Sequence, residues 1–442
     1  MPLTELDHAA IARTLAQIAD RRGDLADAFF EESEVVELPP DGAAPGLRVW
    51  REEGLAIRLL RRGRTWIAAR DGISASAFSQ AIRQVARAMP RAPYPEPRFT
   101  RHGFQEPIEA PELLDFPAAL ARAIRSHHVT FPMKLTVRRH RRNVRIVGTQ
   151  LSSGVERESF FSVHVEMPWG RFGQLLPELG EEAPEALALQ LVHSYRAHKA
   201  PPPAPASRCV LGPSACAVLL HEAVAHALEA DTLALSGDPE AAVGVALGTP
   251  EISVFDDPST APASVRRRAD DEGHPVSRRC LLREGKIEQP LADTLWARQS
   301  DILRAGSGRR SSRHLPPGPR SWHLELIPGK ASREELFAAA GDGLYLPETD
   351  RGHMDPISGE LLLHFPYGYL LKDGVAGPPV GRSSLRLHVS DVLQAVRGVG
   401  REPIPAGAGW CAKGGMKLPV WATAPELLLV DLPIEGDSGA SE

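Results

Sequence analysis

The chain has 442 residues, of which 43% are hydrophobic and 24% charged, and its formal net charge is -5. That length suits two domains, and the composition is that of a soluble globular chain, which excludes a disordered protein, a collagen-like fibre and a coiled coil. No apolar run reaches the roughly 18 residues of a membrane span, and the near balance of charge gives no overall pull toward nucleic acid or anionic lipid.

Met1 to Arg13 lacks a basic segment followed by an apolar run, so no signal peptide is expected. A cytoplasmic location is the corresponding expectation. Disulfides are then disfavoured for Cys209, Cys216, Cys280 and Cys411. Residues 5–30 read as an amphipathic helix, with Ile11, Leu15, Ile18 and Leu25 at helical spacing. Ala28 to Val36 is strand-like. Short strands follow at 47–50, 54–60 and 65–69, separated by charged turns. Helices are expected over 75–90 and 117–128. Strands are expected at Lys134 to Val137, Asn143 to Gly148 and Ser159 to Val165. The run Arg138 to Arg142 reads as a solvated hairpin turn rather than a nucleic-acid patch, because no aromatics interleave it. A helix over 180–198 precedes a segment with Pro201, Pro202, Pro203 and Pro205, which reads as an extended linker.

The fold class expected is therefore α+β. An N-terminal α/β domain (1–200) carries helices on one face of an antiparallel sheet. A C-terminal β-rich domain (207–442) carries one strong helix near 213–230 and further helices near 332–341 and 389–397.

The strong helix contains His221-Glu222-Ala223-Val224-Ala225-His226. Two imidazoles and a carboxylate on one helix suit a zinc hydrolase: the imidazoles hold the metal and the carboxylate takes a proton from water. The common arrangement places the histidines four residues apart, whereas here they stand five apart. On an ideal helix that separates them by roughly 140°. Both can reach one ion only if a turn widens, so a π-bulge or an equivalent unwinding is expected between them. Candidates for a third ligand are Cys411, Cys209, Cys216, Cys280, His314, His353 and nearby carboxylates. Cys411 is preferred. Gly407, Gly409, Gly414 and Gly415 let the backbone bend around it, and a thiolate suits zinc. Cys216 lies on the motif helix and could not easily face the same ion. Cys280 sits in an apolar strand.

These segments together resemble the TldD/PmbA family of zinc peptidases. The resemblance rests on His221 to Asp231, Asp270 to Pro275, Gly306 to Arg310, His314-Leu315-Pro316, Pro328-Gly329, Asp355 to Gly359 and Cys411 to Val420, in that order. It implies zinc held by His221, His226 and Cys411, with Glu222 as the catalytic base activating a zinc-bound water. It implies hydrolysis of unfolded or small peptides inside a dimer cavity, the peptide adding a strand to the protein's own sheet. The partner is a second copy or a motif-lacking relative. No nucleic acid or membrane partner is expected. Arg309, Arg310 and His314 are candidates for substrate contacts. Asp270, Asp271 and Glu272 fit either an amine site or a turn before Gly273. The chain departs from the family pattern at Ala225, Ala227 and Ala230, where glycines are usual, and at Ala412 and Met416. These alanines favour regular helix. They motivate the alternative of an inactive scaffold subunit.

Overall fold

The computed structural model describes residues 6–40, 46–87, 110–300 and 303–436. Its first sheet is antiparallel throughout. It runs in the order Arg64–Asp71, Arg48–Arg61, Leu25–Leu38, Lys134–Gly148, Glu156–Met167, Gly170–Leu176. Helices His8–Ile18, Ala75–Ala86, Pro111–Ser126 and Ala183–Ala197 cover one face. Ile11, Leu15, Phe78 and Ile82 meet Phe30, Leu55 and Ile57. Leu113, Phe116, Leu120 and Leu191 meet Val36, Val137 and Val163. The expected α+β layer is present.

Several boundaries move. The first helix stops at Ile18, where a turn with Gly23 at φ +90° feeds the strand from Leu25. Leu25 is therefore a strand residue. The third helix begins at Pro111, and Pro117 lies inside it. The expected turn between residues 60 and 65 is present at Arg62-Gly63, but two other expected strand breaks at charged residues are absent. Arg51, Glu52 and Glu53 lie within Arg48–Arg61, and Arg138 to Arg142 lie within Lys134–Gly148. The hairpin-turn reading of the arginine run is thus corrected. Its charges are matched across the sheet: Arg138 pairs with Glu37 at 2.6 Å, Arg139 with Glu34 at 3.6 Å and Arg142 with Glu31 at 2.8 Å.

Strands from Ala206 onward build a two-stranded sheet, Gly308–Arg309 with Gly318–Pro319, and two further large sheets. One runs Lys286–Ile287, Arg279–Arg283, Val254–Asp256, His323–Leu326, Met416–Ala424, Ile404–Lys413. The other has nine strands, with Ala206–Leu211 near its centre and Arg351–Met354 at one edge. The segment Pro213–Ser236 lies between these sheets. Leu219, Leu220, Val224 and Leu228 pack on Val254, Leu324, Leu361 and Leu363 in one apolar core.

The uncovered face of the first sheet meets the C-terminal part through buried ion pairs. Asp27 receives Arg58 at 2.6 Å and Arg310 at 2.8 Å. Arg58 also holds Glu272, and Arg267 bridges Glu158 and Asp271 at 3.0 and 2.8 Å. Such a layer adds little net stability, yet removing one partner strands a buried charge. Burial alone would raise the pKa of Asp27. Arg58 and Arg310 outweigh it and hold the carboxyl below its ordinary 3.8. Its contribution is therefore present above the unfolded value and is lost as pH falls through the folded one.

Asp27→Ala is expected to cost about 3–5 kcal/mol in denaturant unfolding at neutral pH. The gap between wild type and Asp27→Asn is expected to narrow as pH falls from about 7 to about 3.

Candidate metal centre

Helix Pro213–Leu220 starts with proline at its first position and ends at the motif. His221–Ala225 then forms a π turn, in which the His226 N–H donates to the His221 carbonyl. A short 3₁₀ turn, His226–Leu228, follows, and Glu229 breaks the helix at φ -69°, ψ 129°. The expected widening is observed between the two histidines. Ala225 adopts φ -61°, ψ -56°, an ordinary right-handed conformation, so the π turn does not need glycine there.

The widened turn brings the two rings to 4.4 Å between centroids. The strand Ile404–Lys413 supplies Cys411, whose Sγ lies 3.4 Å from His226 Nε2. One potential ligand atom from each of His221, His226 and Cys411 falls within 4.8 Å of the others. All three side chains are buried. Both ring nitrogens of His221 are buried without a hydrogen-bond partner. A neutral imidazole left so is costly unless something binds it. Two imidazoles and a thiol form a donor set that suits zinc. The residues present therefore fit that ion.

A buried carboxylate stands behind the centre. Glu229 accepts from His226 Nδ1 at 3.1 Å, which leaves Nε2 facing Cys411 and His221. Burial would lower the His226 pKa, but Glu229 and Cys411 together raise it well above the ordinary value. Burial and the neighbouring His226 push His221 well below it. Glu229 is anchored by Lys413 and, at 3.4 Å, by Arg320. Lys413 stands two residues after Cys411 on one strand, so both side chains leave the same face.

Glu222, beside His221, borders a cleft of about 730 Å³ that His221 also lines. Burial raises its pKa. The strand Arg351–Met354 passes so closely that a Cβ at Gly352 would lie 2.5 Å from Val218 and 3.0 Å from Glu222.

The other sequence candidates fall elsewhere. Arg309 is buried, donates to the carbonyls of Ser321 and Pro419 and stacks on Trp322. Arg310 is fully buried on Asp27 and Phe29. His314 is exposed, and none of the three borders the cleft. The guanidiniums of Arg309 and Arg310, expected at the substrate, are held elsewhere: that of Arg309 on carbonyls within the C-terminal part, that of Arg310 on Asp27 of the first sheet. Asp270, Asp271 and Glu272 form a turn, with Gly273 at φ +87°, whose carboxylates cap backbone N–H groups and pair with Arg267 and Arg58. Cys209, Cys216 and Cys280 are buried away from the ligand group. Glu229 and Lys413 were not singled out from the sequence. Their signals are a carboxylate three residues after His226 and a cation two residues after Cys411.

Glu229→Gln is expected to weaken zinc affinity by about 10–100-fold in chelator competition. Asp231 still holds Lys413 at 3.0 Å and Arg320 at 3.3 Å, so the fold should persist.

A family model for the PmbA/TldA metallopeptidase C-terminal domain matches residues 206–436. The metalloprotease TldD homolog of Buchnera aphidicola subsp. Schizaphis graminum is 31% identical over 233 residues, which are 51% of this chain and 47% of that protein. The zinc metalloprotease TldD homolog of Saccharolobus solfataricus is 23% identical over 228 residues, 51% of each chain. The chain thus spans about half the length of the curated relatives it matches. TldE from Thermococcus kodakarensis superposes over 96% of this chain and 99% of its own, with a TM-score of 0.74 and 17% identity, a likeness of fold. With the family model covering half of its length, the chain belongs to the TldD/PmbA family of metallopeptidases.

Proposed function

We propose that this chain is a zinc-dependent peptidase that hydrolyses unfolded or small peptides. The observation that carries the reading is the convergence of His221, His226 and Cys411 on one point, with Glu222 beside them at the cleft. These three residues would hold the ion. Zinc bound there supplies Lewis acidity, making water more acidic and a carbonyl more electrophilic.

Glu222 would accept the proton of the attacking water and pass it to the leaving amine. Glu229 fixes the tautomer and orientation of His226. The cleft suits an extended chain. Gly170–Leu176, Arg351–Met354 and Ile404–Lys413 are each the outermost strand of a sheet, and residues of all three line it. Outermost strands offer unpaired backbone N–H and carbonyl groups to a peptide. The dimer implied by the family resemblance belongs to the same proposal, with closure of the cleft by a second chain. The scaffold alternative drew on Ala225, Ala227 and Ala230. The π turn forms with these alanines in place, which favours the enzyme.

Glu222→Gln is expected to retain about one zinc per chain and to lose about 10²- to 10⁴-fold in peptide cleavage. Metal content by mass spectrometry and a quenched-fluorescence peptide assay read the two effects. Unchanged cleavage would defeat the proposal.

A further inference from the structure

A second polar group faces the cleft at the start of the motif helix. Strand Gly343–Leu346 runs parallel to Ala206–Leu211. Beyond it, the Gly212 N–H donates to the Leu346 carbonyl at 2.9 Å and the Ala215 N–H to the Pro347 carbonyl at 3.3 Å. These bonds set Glu348 against the first turn of Pro213–Leu220. Glu348 lines the same cleft as His221 and Glu222. Its carboxylate accepts from Gln190 Nε2 at 3.0 Å and from the Ser214 side chain, both neutral. Burial pushes its pKa up to about 7. Gln190 Oε1 and Thr349 Oγ1 are buried without hydrogen-bond partners, and both residues line the cleft. Tyr345 and Tyr367 line it as well. The nearby Arg382 is paired with Asp350 at 3.0 Å.

This wall offers a carboxylate, two oxygen acceptors and aromatic rings. Such a set suits a cation, through charge-assisted hydrogen bonds and ring faces. We propose that Glu348 forms a subsite for a cationic group of the substrate, an ammonium or a guanidinium, about three residues from the cleaved bond. The inference rests on the peptidase reading of the same cleft. The spacing follows from the helix. Ser214 and His221 are seven residues apart, which is about 10 Å of helical rise. An extended peptide covers that distance in about three residues.

The test uses the zinc-loaded Glu222→Gln chain, which would bind without cleaving, and fluorescent hexapeptides of one neutral sequence. Lysine, arginine or norleucine is placed at each position in turn, with the N-terminus free or acetylated. Anisotropy titrations are expected to show about 10-fold tighter binding for one placement of positive charge over its neutral counterpart. The free-terminus arm and the side-chain arms tell which cation is held. Glu348→Gln in the same background should abolish the preference. Glu348→Lys should invert it toward glutamate at that position, a gain that a misfolded variant cannot produce. A preference that survives in Glu348→Gln, or equal binding of charged and neutral peptides, would overturn the subsite alone. Cleavage of none of the hexapeptides by wild type would instead overturn the peptidase reading.

Discussion

Two imidazoles five residues apart cannot meet on a regular α-helix, and the candidate metal centre depends on the turn that resolves this. The π turn His221–Ala225 adds one residue to a single loop of the helix. The cost is one turn of poorer backbone geometry. The return is a pair of rings 4.4 Å apart on one side of the segment. Once they face the same way, a single strand carrying Cys411 completes the donor set, and the same strand delivers Lys413 to Glu229. The turn keeps its shape because it is packed between two sheets, with Ala223, Val224 and Ala225 fully buried.

The rest of the molecule holds this segment in register and builds a cleft beside it. The nine-stranded sheet aligns the start of the helix through Leu346 and Pro347. The first sheet contributes its outermost strand to the cleft wall. Its placement depends on Asp27, Glu31, Arg310 and Arg313, which lie on the two sides of the interface. The Glu31 carboxylate also accepts the Arg313 N–H at 2.8 Å. Two segments that carry the family resemblance, Asp270 to Glu272 and Gly306 to Arg310, reach this interface through Glu272 on Arg58 and Arg310 on Asp27.

Much of this was legible in the sequence where local rules dominate. The π turn followed from helical geometry and the His221–His226 spacing. Cys411 followed from its glycine-rich surroundings and the chemistry of a thiolate. The helices over the first sheet followed from apolar periodicity. The readings that failed concern charge. Arg51 to Glu53 and Arg138 to Arg142 look like turns because isolated charged runs prefer water, but Arg51, Arg138, Arg139 and Arg142 pair with glutamates on a neighbouring strand that the local sequence does not reveal. Arg309 and Arg310 are candidates for substrate contacts only through the family resemblance, and their partners, the Ser321 and Pro419 carbonyls and Asp27, lie 12, 110 and 283 residues away in the chain.

The most direct test of the account is anomalous diffraction at the zinc edge from crystals of the zinc-loaded protein. One peak per chain is expected, at about 2.0–2.1 Å from a nitrogen of His221 and of His226 and about 2.3 Å from Cys411 Sγ. No peak there, or a peak held by other residues, would contradict it.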